Sequence, residues 1–208
     1  QTLEHPAAKA MAEAYLDDTE LMDSFRVAPA AMQIHHAWIG GLLEHTLQLM
    51  KMANEILPGY PRLNRDIVLI GLFIHDLGKV EELRWDTGFQ YTREGNLIGH
   101  IARGAMWLEE KAKVAEASLG SPLPDGFLTV LQHIVLSHHG QLEHGAAKLP
   151  STPEAMFVSQ LDNLDAQVQT SLDAARPWEQ SVTGDEAFTE RIWSLGTKLY
   201  KRDPLSDE

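Results

Sequence analysis

His75 and Asp76 stand side by side at the end of the apolar run Ile67-Val68-Leu69-Ile70-Gly71-Leu72-Phe73-Ile74, and Leu77-Gly78-Lys79 follows them. An imidazole and a carboxylate at the end of a buried segment are costly to leave unpaired, and a divalent cation would satisfy both. The chain offers further partners in order: His45 before the pair, then His100, His138, His139 and Asp162 after it. A lone histidine on an apolar helix face is more often a hydrogen-bonded core residue than a ligand. Here His45, His75, Asp76 and Asp162 all lie in apolar helical contexts: Leu42-Leu43-Glu44-His45, Phe73-Ile74-His75-Asp76 and Val158-Ser159-Gln160-Leu161-Asp162. Four inward-facing, ligand-competent groups on three helices are hard to explain by packing alone. Nitrogen and carboxylate ligands suit Mn, Fe, Co, Ni or Zn, and the residues select none of them; one or two ions are expected, with Mn or Fe favoured.

The elements that must position these groups are helical nearly throughout. The apolar spacing predicts a first amphipathic helix over Pro6 to Phe25, interrupted before Pro29, and a long helix or two joined ones from Met32 to Leu57. Pro58-Gly59-Tyr60-Pro61 ends that segment, and Asn64 is placed to cap the helix that carries Ile67 through His75. From Val80 to Thr92 the helical period breaks. Leu83, Trp85, Phe89 and Tyr91 flank Asp86-Thr87-Gly88, which predicts a short β-hairpin near residues 80–92. Helices are expected again from Leu97 to Leu119, from Phe127 to His139, from Pro153 to Ala175 with Pro at the first turn, and from Glu186 to Tyr200. The acidic tail, Asp203 to Glu208, is expected to fray. The economical organisation is one all-α domain: a lead-in over residues 1–30, the ligand-bearing core over 31–175, and a C-terminal helix and tail over 176–208.

Composition narrows the function classes. The chain of 208 residues is 44% hydrophobic and 23% charged, ordinary values for a globular protein. It has no cysteine, which rules out disulfides and thiolate zinc sites within it and fits the cytoplasm. No apolar run has the length of a membrane span, and the opening Gln-Thr-Leu-Glu-His-Pro lacks the basic and apolar segments of a signal peptide. The first residue is Gln rather than Met, so part of a longer chain is expected to precede it. Lys and Arg total 17 against 30 acids, a net charge of −13. Proteins that hold nucleic acid by its phosphates usually carry a basic face. A polynucleotide would therefore have to be gripped by bound metals, by a local patch, or by another part of the protein.

The ordered series His45, His75-Asp76, Asp162 resembles the signature of the HD-domain metal-dependent phosphohydrolases. Five segments resemble more narrowly the YhaM-type 3′–5′ exoribonucleases. They are His35-His36-Ala37-Trp38-Ile39-Gly40-Gly41-Leu42-Leu43-Glu44-His45-Thr46, then His75-Asp76-Leu77-Gly78-Lys79-Val80-Glu81-Glu82-Leu83, then Tyr91-Thr92-Arg93-Glu94-Gly95-Asn96-Leu97-Ile98-Gly99-His100-Ile101, then Ser137-His138-His139-Gly140, and last Leu161-Asp162-Asn163-Leu164-Asp165-Ala166. Together they span roughly residues 28 to 168.

The resemblance implies an all-α HD helical bundle. It implies one ion held by His45, His75, Asp76 and Asp162, and a second bridged by Asp76 and held by later histidines, where His100 and His138 stand. His139 competes with His138, since neighbours on a helix point about 100° apart; His138 is favoured, with His139 contacting substrate or capping the loop. Two cations sharing Asp76 would also share a water and lower its pKa, giving a hydroxide for attack on phosphorus. Asp76, Lys79 and His139 are then the candidate catalytic residues. Lys79 either reaches a phosphate oxygen or complements a helix C-terminus. His35, His36 and Arg93 are further candidates for substrate contact, His35 and His36 with an equally open structural role. Asp165, three residues beyond Asp162, either orients a ligand histidine or caps a neighbouring helix. Gly40-Gly41 suits close backbone approach near the site. Trp85, Phe89 and Tyr91 with Arg84 and Arg93 offer a base-stacking surface, although aromatics on a short hairpin more often cover a bundle.

The implied substrate is a phosphodiester, single-stranded RNA or a nucleotide. The YhaM-type enzymes carry an N-terminal OB-fold module, and no such five-stranded region occurs here, so the polymer-gripping part is expected outside this chain. The Gly-Tyr-Pro signature of cyclic-dinucleotide phosphodiesterases is missing after His139, where Gly140-Gln141-Leu142-Glu143 stands. Competing readings are a small-nucleotide phosphohydrolase, an HD-type di-iron oxygenase, or a non-catalytic helical regulatory module. A second set of histidines argues against the last. Self-association into a homo-oligomer stays open, and no membrane partner is expected.

Overall fold

The structure, a computed structural model, describes residues 3–31, 38–85, 90–176 and 187–205. The chain divides into two compact units, residues 1–163 and 164–208.

The first unit begins with α1 (Pro6–Leu16) and α2 (Thr19–Val27) where the apolar spacing predicts a single helix. Asp18 is the reason for the break. Its carboxylate accepts a hydrogen bond from Leu21 N at 3.1 Å, and an N-cap residue has a non-helical backbone that starts a new helix. After a turn at residues 38–40, α3 (Gly41–Ile56) follows; Gly40, its N-cap, has φ +83°, a conformation that a side chain would strain. The expected start at Met32, with His35 and His36, lies outside the described residues. Asn64 caps α4 (Arg65–Ile74) as expected, accepting from Ile67 N at 3.1 Å.

A single turn, α5 (Lys79–Glu82), leads into the expected hairpin. Strand β1 (Leu83–Arg84) pairs antiparallel with β2 (Gln90–Tyr91), Leu83 opposite Tyr91; the turn at Asp86-Thr87-Gly88 lies outside the described residues. The unit continues with α6 (Arg93–Leu97), α7 (Gly99–Leu119), α8 (Phe127–Ser137) and the first part of α9 (Pro153–Ala175). Thr152 caps α9, its hydroxyl accepting from Ala155 N at 3.1 Å.

Helix α7 packs on α1 and α8, α3 packs on α2 and α4, and α4 packs on α8. Because α4 is apolar almost all round, it runs through the middle, burying Val68, Leu69, Ile70, Leu72 and Ile74. Leu42, Leu49, Leu108, Leu131 and Ile134 join the same cluster, each contributing roughly 1.5–3 kcal/mol by burial. At Gly71 an added Cβ would stand 3.0 Å from Ile134 Cδ1, so the lack of a side chain lets α4 and α8 approach.

The second unit holds α9 from Leu164 onward and residues 187–205. The helix expected over Glu186 to Tyr200 does not form in its described part. Phe188 bridges to Tyr200 and Ile192 to Thr197, antiparallel, around a 3₁₀ turn at Trp193–Leu195. Phe188, Ile192, Leu195 and Leu199 have the spacing of a helical stripe. However, Gly196 sits at φ +67° in the middle of it, and the β-branched Thr189, Ile192 and Thr197 favour extended backbone. Among the described residues no helix is long and apolar enough to cross a membrane.

Candidate metal centre

His45, His138 and Asp162 reach the centre because each continues an apolar stripe. On α3 the buried residues Leu42, His45, Thr46, Leu49 and Ala53 follow the helical repeat, so His45 turns inward with them. On α8 the series is Leu131, Ile134, Val135 and then His138. On α9 it is Ala155, Val158 and Asp162. His75 is the C-cap of α4, and Asp76 begins the turn that follows. His100 stands in the first turn of α7. Gly78 lets that turn in: a Cβ there would lie 2.2 Å from the His100 carbonyl oxygen.

These groups form two clusters that share Asp76. One is His45, His75 and Asp76; the other is Asp76, His100, His138 and His139. His75 Nε2 lies 3.4 Å from Asp76 Oδ2, and His45 Nε2 lies 3.9 Å from the same atom. Asp162 Oδ1 closes the first cluster, 3.2 Å from His45 Nε2 and 3.8 Å from His75 Nε2. On the other side Asp76 Oδ1 faces His138 Nε2 at 3.4 Å and His100 Nε2 at 3.5 Å. Both carboxylate oxygens of one residue are thus aimed at different sets of nitrogens.

The tautomers decide what this arrangement can hold. His75 Nδ1 lies 2.8 Å from Leu72 O, and His138 Nδ1 lies 2.8 Å from Val135 O. A carbonyl only accepts, so each Nδ1 carries its ring's proton and the neutral ring presents a lone pair at Nε2. His100 Nδ1 is 2.8 Å from Glu82 Oε2, with the same result. Lone pairs on nitrogen therefore face lone pairs on Asp76 across a buried space. Accordingly His75 Nε2, His100 Nε2, His138 Nε2 and Asp76 Oδ1 are buried with no hydrogen-bond partner. Buried polar atoms are seldom left so, and a cation between them satisfies every one. The donor set, imidazole nitrogens with carboxylates, fits first-row divalent metals.

Electrostatics support the same assignment. Burial pushes the Asp76 carboxyl up, but the Lys79 ammonium outweighs it and holds the group well below the usual carboxylate range. Asp162 is lowered likewise, burial being overruled first by its contact with His45. Burial also pushes His138 down, against the pull of Asp76, and pushes His139 down to about 3 with help from His138. His138 and His139 are thereby kept neutral beside the ionised Asp76. Lys79 Nζ donates to Asp76 Oδ2 at 2.7 Å; burial pushes that ammonium's pKa down, Asp76 more than restores it, and the group stays charged.

The remaining candidates are placed as follows. His138 is buried. His139 is half-buried, with Nδ1 unpartnered and its ring 4.3 Å from that of His138, so the structure brings both neighbours to the cluster. The turn after them closes tightly on Gly140, where a Cβ would lie 2.6 Å from Ser159 Oγ. Arg93 stays at the surface, its side chain 83% exposed and paired with Glu94. Asp165 is buried. Trp85 packs against the main core, whereas Tyr91 is exposed; Phe89 lies outside the described residues, as do His35 and His36. The residue that sequence spacing misses is Glu82. It stands 18 positions from His100, and its only sequence signal is a place in the segment that begins with His75-Asp76.

A family model described as "HD domain" matches residues 42–167. The chain is 39% identical over 175 residues to the 3′–5′ exoribonuclease YhaM of Bacillus pumilus strain SAFR-032, a match covering 83% of this chain and 51% of that protein. It is 39% identical over 181 residues to the protein of the same name from Geobacillus sp. strain WCH70, covering 86% and 52%. With the YhaM of Bacillus subtilis strain 168 it is 36% identical over 186 residues, covering 88% and 54%. The chain spans about half the length of these curated relatives. No solved structure matches it. With the ligand series on converging helices and the family model running from Leu42 on α3 to Gln167 on α9, the chain belongs to the HD domain family.

Proposed function

We propose that this chain is a metal-dependent phosphohydrolase that cleaves phosphodiesters, with single-stranded RNA attacked from its 3′ end as the substrate. The observation that carries the reading is Asp76, whose two oxygens face separate groups of ring nitrogens. The relatives named 3′–5′ exoribonuclease supply the substrate class.

His45, His75, Asp76 and Asp162 hold one divalent cation, and Asp76, His100 and His138 hold a second, with manganese or iron the leading ions. Such ions supply Lewis-acid stabilisation of the phosphoryl oxygens and a water acidic enough to react near neutral pH. Lys79 keeps a charged ammonium beside Asp76, where a phosphate oxygen entering the centre meets a donor already desolvated. His139 is neutral and half-buried, its ring beside that of His138, where it can contact substrate. Ser159 and the Gly140 turn fix the backbone that presents this ring. Arg93, at the surface, together with His35 and His36, is assigned to contact with the polymer.

The test is hydrolysis of a bis-para-nitrophenyl phosphodiester, and of an end-labelled RNA ladder, with Mn²⁺ added. The expected result is turnover that Asp76→Ala abolishes together with metal content, and a ladder shortened from the 3′ end. No turnover with any divalent metal at full occupancy overturns the proposal, and oxygen consumption in its place would mark a di-iron oxygenase.

A further inference from the structure

His75 and His138 take their tautomer from the main chain of their own helices, whereas His100 takes it from a side chain on another element. Glu82 Oε2 accepts from His100 Nδ1 at 2.8 Å, and Glu82 Oε1 accepts from the backbone N of the same residue at 3.1 Å. One carboxylate therefore grips both the ring and the backbone of a single histidine.

The grip is itself held. Glu82 ends the single turn that follows His75-Asp76, and its carbonyl accepts from Thr92 N at 2.9 Å and from Thr92 Oγ1 at 3.3 Å. Thr92 Oγ1 also donates to Glu81 O at 2.6 Å. Gly95 packs onto the same peptide so closely that a Cβ there would lie 2.3 Å from Glu82 O. Gly78 meets the His100 carbonyl on the far side. Glu82 is only about one-eighth exposed, so water competes little for the bond.

We propose that Glu82 is a positioning residue, which fixes the proton of His100 on Nδ1 and so turns a bare Nε2 toward Asp76 and the second ion. The inference rests on the two-ion reading above and extends it to a residue that touches neither ion. Carboxylates that hold a ligand histidine in this way typically change metal affinity 10–100-fold when replaced.

Glu82→Gln separates orientation from helix capping. The backbone N–H of His100 can only donate, so the amide oxygen must serve it, and the amide NH₂ then points at Nδ1. Nδ1 becomes the acceptor and the ring proton moves to Nε2, with every hydrogen bond still made. Glu82→Ala removes both contacts.

The experiment uses the 208-residue chain. Nitrogen-15 NMR of the metal-free protein reads the His100 tautomer, and Mn²⁺ titration reads the affinity of each ion. The expected result is Nδ1–H in the unsubstituted chain, and Nε2–H in Glu82→Gln with a melting temperature near the original. The second Mn²⁺ should bind about 10–100-fold more weakly while the first is unchanged. An unsubstituted His100 protonated on Nε2, or a Gln variant that keeps both the tautomer and the second affinity, overturns the proposal. Should the unsubstituted chain bind one Mn²⁺ only, the two-ion reading falls, and the tautomer comparison still decides the role of Glu82.

Discussion

Lys79 Nζ and Asp76 Oδ2 lie 2.7 Å apart, which places an ammonium on the carboxylate that both histidine clusters share. A buried carboxylate deprived of its partner is costly, about 3–5 kcal/mol when one member of such a pair is removed. Lys79→Met is therefore expected to lower the stability of the metal-free chain by about that amount, and by much less in saturating Mn²⁺, where the ions compensate the charge. Thermal melts with and without Mn²⁺ check this; an equal loss in both conditions would refute it.

Gly78 is needed for space rather than for its backbone conformation. A Cβ there would lie 2.2 Å from the His100 carbonyl oxygen, and a backbone atom cannot swing aside. Gly78→Ala is expected to cost about 1–3 kcal/mol by overpacking and to weaken the second metal ion more than the first. Chemical denaturation and Mn²⁺ titration on one preparation measure both effects.

His138 and His139 should differ in what their loss removes. His138→Ala takes away a buried ring 3.4 Å from Asp76 Oδ1 and is expected to reduce bound Mn²⁺ from two ions per chain to one. His139→Ala should lower turnover at least tenfold while retaining both ions. Metal analysis beside steady-state kinetics distinguishes them, and the opposite pattern would exchange their roles.

Asp18 gives a pH dependence away from the centre. Its carboxyl is lowered from 3.8, first by the hydrogen bond from Lys111 and then by that from Leu21 N. A group whose pKa is depressed on folding stabilises the native state above its unfolded value, and that contribution disappears as the pH falls below 3.8 toward the folded value. Asp18→Asn keeps an acceptor for the α2 cap and loses the charge. The pair is partly exposed, so after solvent screening the expected cost at pH 7 is about 0.2–1 kcal/mol. The two proteins should converge in denaturation curves taken below the ordinary aspartate pKa.

His45, His138 and Asp162 are legible in the sequence because each continues a stripe that burial requires. His45 follows Leu42, His138 follows Leu131 and Ile134, and Asp162 follows Ala155 and Val158, so periodicity alone turns them inward. Asn64 was readable in the same way, as a cap. Asp18 carried an equal capping signal, but the apolar spacing on either side of it masked the break. Glu82 was not legible, since its partner depends on a hairpin that brings Thr92, Gly95 and the start of α7 back to the turn after His75. At the C-terminus Phe188, Ile192, Leu195 and Leu199 imitate a helical stripe, and the left-handed Gly196 that defeats it gives no periodic signal.

The carbonyls of Leu72 and Val135 lie in the last turns of α4 and α8, where intrahelical partners run out. By accepting from His75 and His138 they make the tautomers of two candidate ligands a property of the polypeptide backbone, present whatever residues occupy positions 72 and 135. The third is written in a replaceable side chain. Among the acceptors that face His75, His100 and His138, only the side chain at position 82 is therefore open to change by mutagenesis, and the other two are not.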